Sequence, residues 1–138
     1  MATTLTSAAP SEIWLAGAAG RLRVRHWPAQ GTPIASLVIC HGFNAHSGHY
    51  ARAAEVLGQR GIAVTALDLR GRGESAGERF YVETFEYYFA DLTQAMAYAR
   101  EETSGLPQFL LGHSAGGVVW VEYALAKQTH LAGLIVEA

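Results

Sequence analysis

The 138-residue sequence predicts an α/β fold, a mostly parallel sheet with helices on both faces, because short apolar runs alternate along it with segments of helical spacing. Residues 34–40 and 62–67 are apolar without alternation, the pattern of strands buried on both sides of a parallel sheet. The third observation is a turn. Gly112, Ser114 and Gly116 stand between the apolar run 109–111 and a nearly all-apolar helix that begins at Ser114.

Each element has its own signal. Residues 1–11 are rich in Thr, Ser and Ala, include Pro10, and read as a loose tail ahead of a single domain over 12–138. A first strand begins near residues 12–15. Over 21–27 the alternation is strict, with Arg21, Arg23 and Arg25 on one face and Leu22, Val24 and His26 on the other. That pattern predicts a half-buried edge strand, whose arginines discourage strand-to-strand association rather than bind an anion. After a turn over 28–33 the buried strand 34–40 ends at His41-Gly42-Phe43-Asn44.

A helix from about Tyr50 presents Tyr50, Ala53, Ala54 and Leu57 on one face and stops at Gly61. The strand 62–67 ends at Asp68, and the loop 70–77 that follows is too glycine-rich to be helical. It lacks the terminal Gly-Lys-Ser/Thr of a phosphate-binding loop, and its glycines do not have the dinucleotide spacing. Thr84 is the expected N-cap of a long helix with Phe85, Phe89, Leu92, Met96 and Ala99 at core spacing. Gly105-Leu106-Pro107 ends that helix and starts the strand before Ser114. A last buried strand, the sixth, covers 131–136.

The turn at Ser114 carries the chemistry. A G-x-S-x-G sequence between a strand and a helix is a nucleophile elbow, in which the serine sits in strained backbone geometry and glycines let neighbouring chain pass close by. Gly112 and Gly116 are the elbow glycines and Ser114 the candidate nucleophile. The first amides of the following helix have no intrahelical partner, so the Ala115 N–H is free to stabilise an oxyanion.

Composition narrows the alternatives. Half of the residues are hydrophobic and 16% are charged, which describes a globular chain. A formal charge of −2 offers no footprint for nucleic acid. The single cysteine, Cys40, lies in an apolar run and reads as a small buried hydrophobe; with no recognisable signal peptide it suggests a cytoplasmic setting. No apolar run is long enough for a transmembrane segment. His41, His46 and His49 lack the carboxylates or cysteines of a ligand pattern, so no metal and no cofactor are expected.

Four segments in order then carry a resemblance: His41-Gly42-Phe43 with His46-Ser47-Gly48-His49-Tyr50; Leu67-Asp68-Leu69-Arg70-Gly71-Arg72-Gly73-Glu74-Ser75; Gly77-Glu78-Arg79; and Leu106-Pro107 through Gly117. From about Ile34 onward the chain resembles the α/β-hydrolase superfamily in its monoacylglycerol lipase and lysophospholipase-like branch, the serine aminopeptidase S33 type. The likeness is to the N-terminal part of that fold, ending after the sixth strand. It implies Ser114 as nucleophile, backbone N–H groups of Phe43 and Ala115 as the oxyanion hole, and a small acyl-ester substrate such as a monoacylglycerol or lysophospholipid. The Phe43 side chain lines an acyl pocket or packs in the core. Asp68 and Arg70 match family positions with loop hydrogen bonding as their expected task, and His113 is expected to be structural.

In that family the acid and histidine of the triad come later than Ala138. A lone serine hydroxyl is a poor nucleophile near neutral pH, so the 138 residues alone are expected to be inactive. Glu137 has no downstream histidine to orient and is not expected to be the acid. The family topology makes the strand 131–136 an unprotected apolar edge here, which implies a truncated or split hydrolase joined there by a complementing C-terminal half or another chain. The alternative is a non-catalytic remnant of the fold that binds a partner.

Overall fold

The computed structural model describes residues 9–127 and 130–138. Ten elements follow in order: β1 (Ser11–Gly17), β2 (Gly20–Trp27), β3 (Ala35–Cys40), a 3-10 turn (Ser47–Tyr50) leading into α1 (Ala51–Gly58), β4 (Ile62–Leu67), α2 (Phe85–Glu102), β5 (Gln108–His113), α3 (Ala115–Ala126) and β6 (Gly133–Glu137). Residues 1–8 of the expected tail lie outside the described residues, and Ser11 already belongs to β1.

The six strands lie in the order β1-β2-β4-β3-β5-β6. β3 is central, parallel to β4 on one side and to β5 on the other, and β6 continues in parallel from β5. The unbroken apolar sequence of β3 is explained by this position, since all six of its residues are buried. One face of the sheet packs Val24, Val38, Leu67 and Leu110 against α2 and α3 through Phe89, Leu92, Met96, Val119 and Trp120. The other face packs Leu37, Ile39, Val64 and Ala66 under α1.

The structure corrects several expectations. β2 is not an edge strand: β1 pairs with it as the outer arm of a hairpin, and β4 flanks its other side. Its arginines therefore do not guard an edge. Arg23 pairs with Glu12 at 2.6 Å and with Glu74 at 3.3 Å, and Arg25 lies 3.7 Å from both Glu12 and Asp68. Carboxylates brought from β1 and from the loop after β4 balance a charged row that would otherwise belong at a rim.

α1 starts at Ala51, next to the expected Tyr50, but of the expected apolar face only Ala54 is fully buried, with Gly58 beside it, while Ala53 faces solvent. Thr84 does cap α2 in extended geometry, but its side chain makes no capping bond to the first amides of the helix. Phe85, expected in the core with Phe89, is 43% exposed; it projects from the first turn into a cleft rather than onto the sheet. The apolar strand expected over 131–136 is β6, and it is the expected edge: Leu134, Ile135 and Val136 are exposed along it, since no described strand pairs with its outer side.

Candidate active site

β3 and β5 run side by side in parallel, with Cys40 level with Gly112, so the loops that follow them open at the same end of the sheet. Ligands of open parallel sheets bind at that end. One loop carries Gly42 and Phe43, the other Ser114 and Ala115.

Ser114 has φ 52° and ψ −119°, a backbone region that L-residues rarely occupy. Two features hold it there. Its N–H donates to the Glu137 carbonyl at 2.7 Å, and its own carbonyl accepts from the Gly117 amide at 2.9 Å. Tight packing beneath the turn leaves no room for side chains: a Cβ on Gly116 would collide with the carbonyls of Cys40 and His41, and one on Gly112 would lie 2.5 Å from the Gly116 carbonyl oxygen. Ser114 itself is exposed, and among the described residues nothing hydrogen-bonds its hydroxyl.

The Gly42–Phe43 peptide lies beside this serine, since a Cβ on Gly42 would come within 3.4 Å of the Ser114 Cβ. Its orientation is set by His41. The imidazole Nδ1–H donates to the Gly42 carbonyl at 2.7 Å, while Nε2 accepts from the Leu69 amide at 2.9 Å, which defines a neutral tautomer tying the end of β3 to the end of β4. Burial lowers the His41 pKa from its ordinary value and the nearby Arg72 charge acts the same way, against opposing contributions from the Gly42 bond and Asp68. A peptide group is planar, so anchoring Gly42 C=O also aims the Phe43 N–H on its opposite side.

An apolar cleft of about 380 Å³ starts at these two loops and is lined by Gly42, Phe43, Ala115, Val118, Phe80 and Tyr88 among others. Ser114 also borders a second hollow of about 290 Å³, between α3 and β6, with Val136 and Glu137 on its wall. The arrangement suits a substrate with an apolar arm in the first cleft and a carbonyl near Ser114, Phe43 and Ala115.

The other sequence candidates have separate tasks. Asp68 accepts from the Ser47 amide at 2.7 Å, the Ser47 hydroxyl at 2.6 Å and the Glu74 amide at 2.9 Å, stapling two loops together below the site. Burial by itself would raise its pKa; those bonds and the Arg25 charge outweigh burial and hold it below the usual carboxylate range. Arg70 is bound to Asp91 in α2. His113 shares a hydrogen bond with the Tyr50 hydroxyl at 3.2 Å. His46 caps the 3-10 turn by accepting from the Gly48 amide at 3.1 Å, and its ring rests on His49 with 4.1 Å between centroids. Cys40 is fully buried, and burial pushes its thiol pKa up.

Phe80 and Tyr81 belong to no motif that marks them in the sequence, although large apolar residues in a loop without periodicity are the available signal for a wall facing a ligand. Arg72, whose Nε donates to the Phe43 carbonyl at 2.8 Å, gave no such signal, because 29 residues separate the partners.

A mostly parallel sheet with helices on both faces and a serine raised at positive φ between strand and helix defines the α/β-hydrolase fold. Residues 31–138 match the family model of the S33 serine aminopeptidases, Hydrolase_4, and the chain belongs to that family. It is 38% identical over 112 residues to the monoglyceride lipase of Homo sapiens, covering 81% of this chain and 37% of that protein. With the monoacylglycerol lipase of Mycolicibacterium smegmatis it shares 32% identity over 120 residues, 86% of this chain and 43% of the relative. The chain thus spans about two fifths of the length of these relatives. Among solved structures, a soluble variant of monoglyceride lipase from Saccharomyces cerevisiae in complex with a substrate analog superposes with a TM-score of 0.85 at 23% identity, covering 95% of this chain and 45% of that one. The thermostable carboxyl esterase of Bacillus coagulans also gives 0.85 at 23% identity, over 94% and 44%. Among the described residues no helix is long and apolar enough to cross a membrane.

Proposed function

We propose that these residues form the nucleophile and oxyanion half of a serine hydrolase acting on carboxylic esters of the monoacylglycerol or lysophospholipid kind. The observation that carries the proposal is the backbone of Ser114, a non-glycine residue held at φ 52° and exposed beside the Gly42–Phe43 peptide. Strain of this kind persists only where the surroundings over-determine it.

In the proposed reaction the Ser114 Oγ attacks the ester carbonyl carbon and gives its proton to a histidine base. The carbonyl oxygen becomes an anion between the N–H groups of Phe43 and Ala115. Collapse of that intermediate expels the alcohol, protonated by the same base, and leaves an acyl-serine that water hydrolyses. Loss of one such amide donor costs roughly two to three orders of magnitude in rate. The apolar cleft beside Phe43 takes the acyl chain.

The base and its orienting acid come from polypeptide outside these residues. Support for this comes from the 37% and 43% shares of the two lipase relatives that the chain covers, and from the histidines present: the His41 ring nitrogens are both engaged and His113 is turned to Tyr50. That further polypeptide joins the sheet along β6, where Leu134, Ile135 and Val136 lie exposed.

A fluorophosphonate probe applied to the complete gene product tests the assignment. The wild type is expected to be labelled and Ser114→Ala is not; equal labelling of the two proteins would overturn it. The 138 residues alone are expected to turn over no ester until the complementing polypeptide is added.

A further inference from the structure

We propose that Arg72 is a positioning residue of this ester site: it clamps the main chain of Phe43 and thereby holds the Phe43 amide at the oxyanion position. The proposal rests on the assignment of Ser114 and Phe43 made above.

Arg72 is unlike the other buried arginines. Arg23 and Arg70 each face a carboxylate, but among the described residues no carboxylate lies within ion-pair distance of Arg72, although its side chain is buried. Its hydrogen bonds go to main chain instead, from Nε to the Phe43 carbonyl at 2.8 Å and from Nη1 to the Gly71 carbonyl at 3.5 Å. The guanidinium carbon lies 4.7 Å from the centre of the Phe43 ring and 4.8 Å from that of Phe80, and the two rings are themselves 5.4 Å apart. One cation therefore grips Phe43 twice, by its carbonyl and by its ring.

The consequence for the site follows from peptide geometry. Phe43 follows a glycine, Gly42, in an exposed loop, where backbone freedom is large unless something removes it. The Gly42 carbonyl, in the same plane as the Phe43 N–H, is held by His41; the carbonyl on the other side of Phe43 is held by Arg72. With both flanking carbonyls anchored, the N–H between them is fixed in direction, and among the described residues it donates to no main-chain acceptor. Preorganised donors of this kind stabilise charge without reorganising at the moment of reaction. Arginine suits the task because its planar fork donates in a fixed direction while its face lies on the rings, a combination an ammonium cannot reproduce.

The clamp also reaches the cleft wall. Phe80 occupies φ 60° in its loop and lines the cleft with Phe43, so the same guanidinium packs the acyl-side wall and the oxyanion donor as one unit.

The test uses the complete gene product and an alkyl trifluoromethyl ketone labelled with 13C at the carbonyl, which adds to the serine as a hemiketal whose oxygen occupies the oxyanion position. In Arg72→Met the adduct is expected to form, with its oxygen titrating about one unit higher than in wild type, and ester turnover is expected to fall about 10- to 50-fold in kcat with KM changed less than about threefold. An unchanged titration, or a loss confined to KM, overturns the proposal. Should Arg72→Met fail to fold by circular dichroism, Arg72→Lys keeps charge and stem and is read the same way; full wild-type kcat in Arg72→Lys also overturns it. An adduct that persists in Ser114→Ala removes the nucleophile assignment, and this proposal with it, and that outcome is distinct from an Arg72 variant that forms the Ser114 adduct with an unaltered titration.

Discussion

Arg70 and Asp91 meet through two parallel hydrogen bonds, Nε to Oδ2 at 2.7 Å and Nη2 to Oδ1 at 2.9 Å, with both side chains buried. The pair fastens the glycine-rich loop after β4, which also carries Arg72, to helix α2. Removing one partner strands the other charge. Asp91→Ala is expected to lower unfolding free energy by about 3–5 kcal/mol, whereas Arg70→Met with Asp91→Leu restores most of the loss. Urea unfolding of the three proteins checks this; a single variant no worse than the double would contradict it.

Ser114 pays for its exposure in backbone strain. At φ 52° and ψ −119° a glycine is comfortable and a serine is not. Ser114→Gly should therefore raise stability by about 1 kcal/mol while abolishing probe labelling. Loss of stability in this variant would show that the turn is unstrained.

Gly116 sits where α3 passes over the end of β3. A methyl group there meets the Cys40 and His41 carbonyls, both main-chain atoms that cannot swing aside. Gly116→Ala is expected to cost about 1–3 kcal/mol in stability and to slow labelling of Ser114 at least tenfold, because the strand and helix must separate. Wild-type labelling in this variant would show that the elbow tolerates displacement.

Acid should weaken the fold in two stages. His26 and His41 have pKa values lowered from 6.5, chiefly by burial, with Glu102 opposing the shift at His26. The unfolded chain then binds more protons below that value, so the stabilisation is complete above about pH 6.5 and is lost as pH falls through the imidazole range, with a slope approaching 1.4 kcal/mol per pH unit for each ring, an order-of-magnitude figure. Asp68 is also lowered, from 3.8, so its contribution is present above that value and disappears further into acid. Denaturation curves between about pH 4 and pH 8 measure the slope. Replacing His26 with Asn should flatten the upper stage, and a slope unchanged by that substitution would locate the protons elsewhere.

Much of the site was legible because it depends on residues a few positions apart. The turn at Gly112, Ser114 and Gly116, and the strand and helix on either side, follow from local sterics, and Ser114 occupies positive φ with strand before it and helix after it. The tasks of Asp68 and Arg70 were legible as loop hydrogen bonding, though Asp91 as the partner was not. The charged row of β2 misled for the same reason: alternation reports which face a side chain takes, but says nothing about which strand lies alongside.

By itself the sequence determined the strand and helix order, the elbow, and the glycines on which the elbow depends, since these are set by backbone geometry and apolar periodicity within short windows. Only the tertiary structure decided that β2 lies inside the sheet, that Glu12, Glu74 and Asp68 balance its arginines, that Phe80 and Phe85 line a cleft, and that Arg72 grips Phe43. Charge pairing and loop anchoring join residues tens of positions apart. Their partners are chosen by the order of strands across the sheet, which no local pattern encodes.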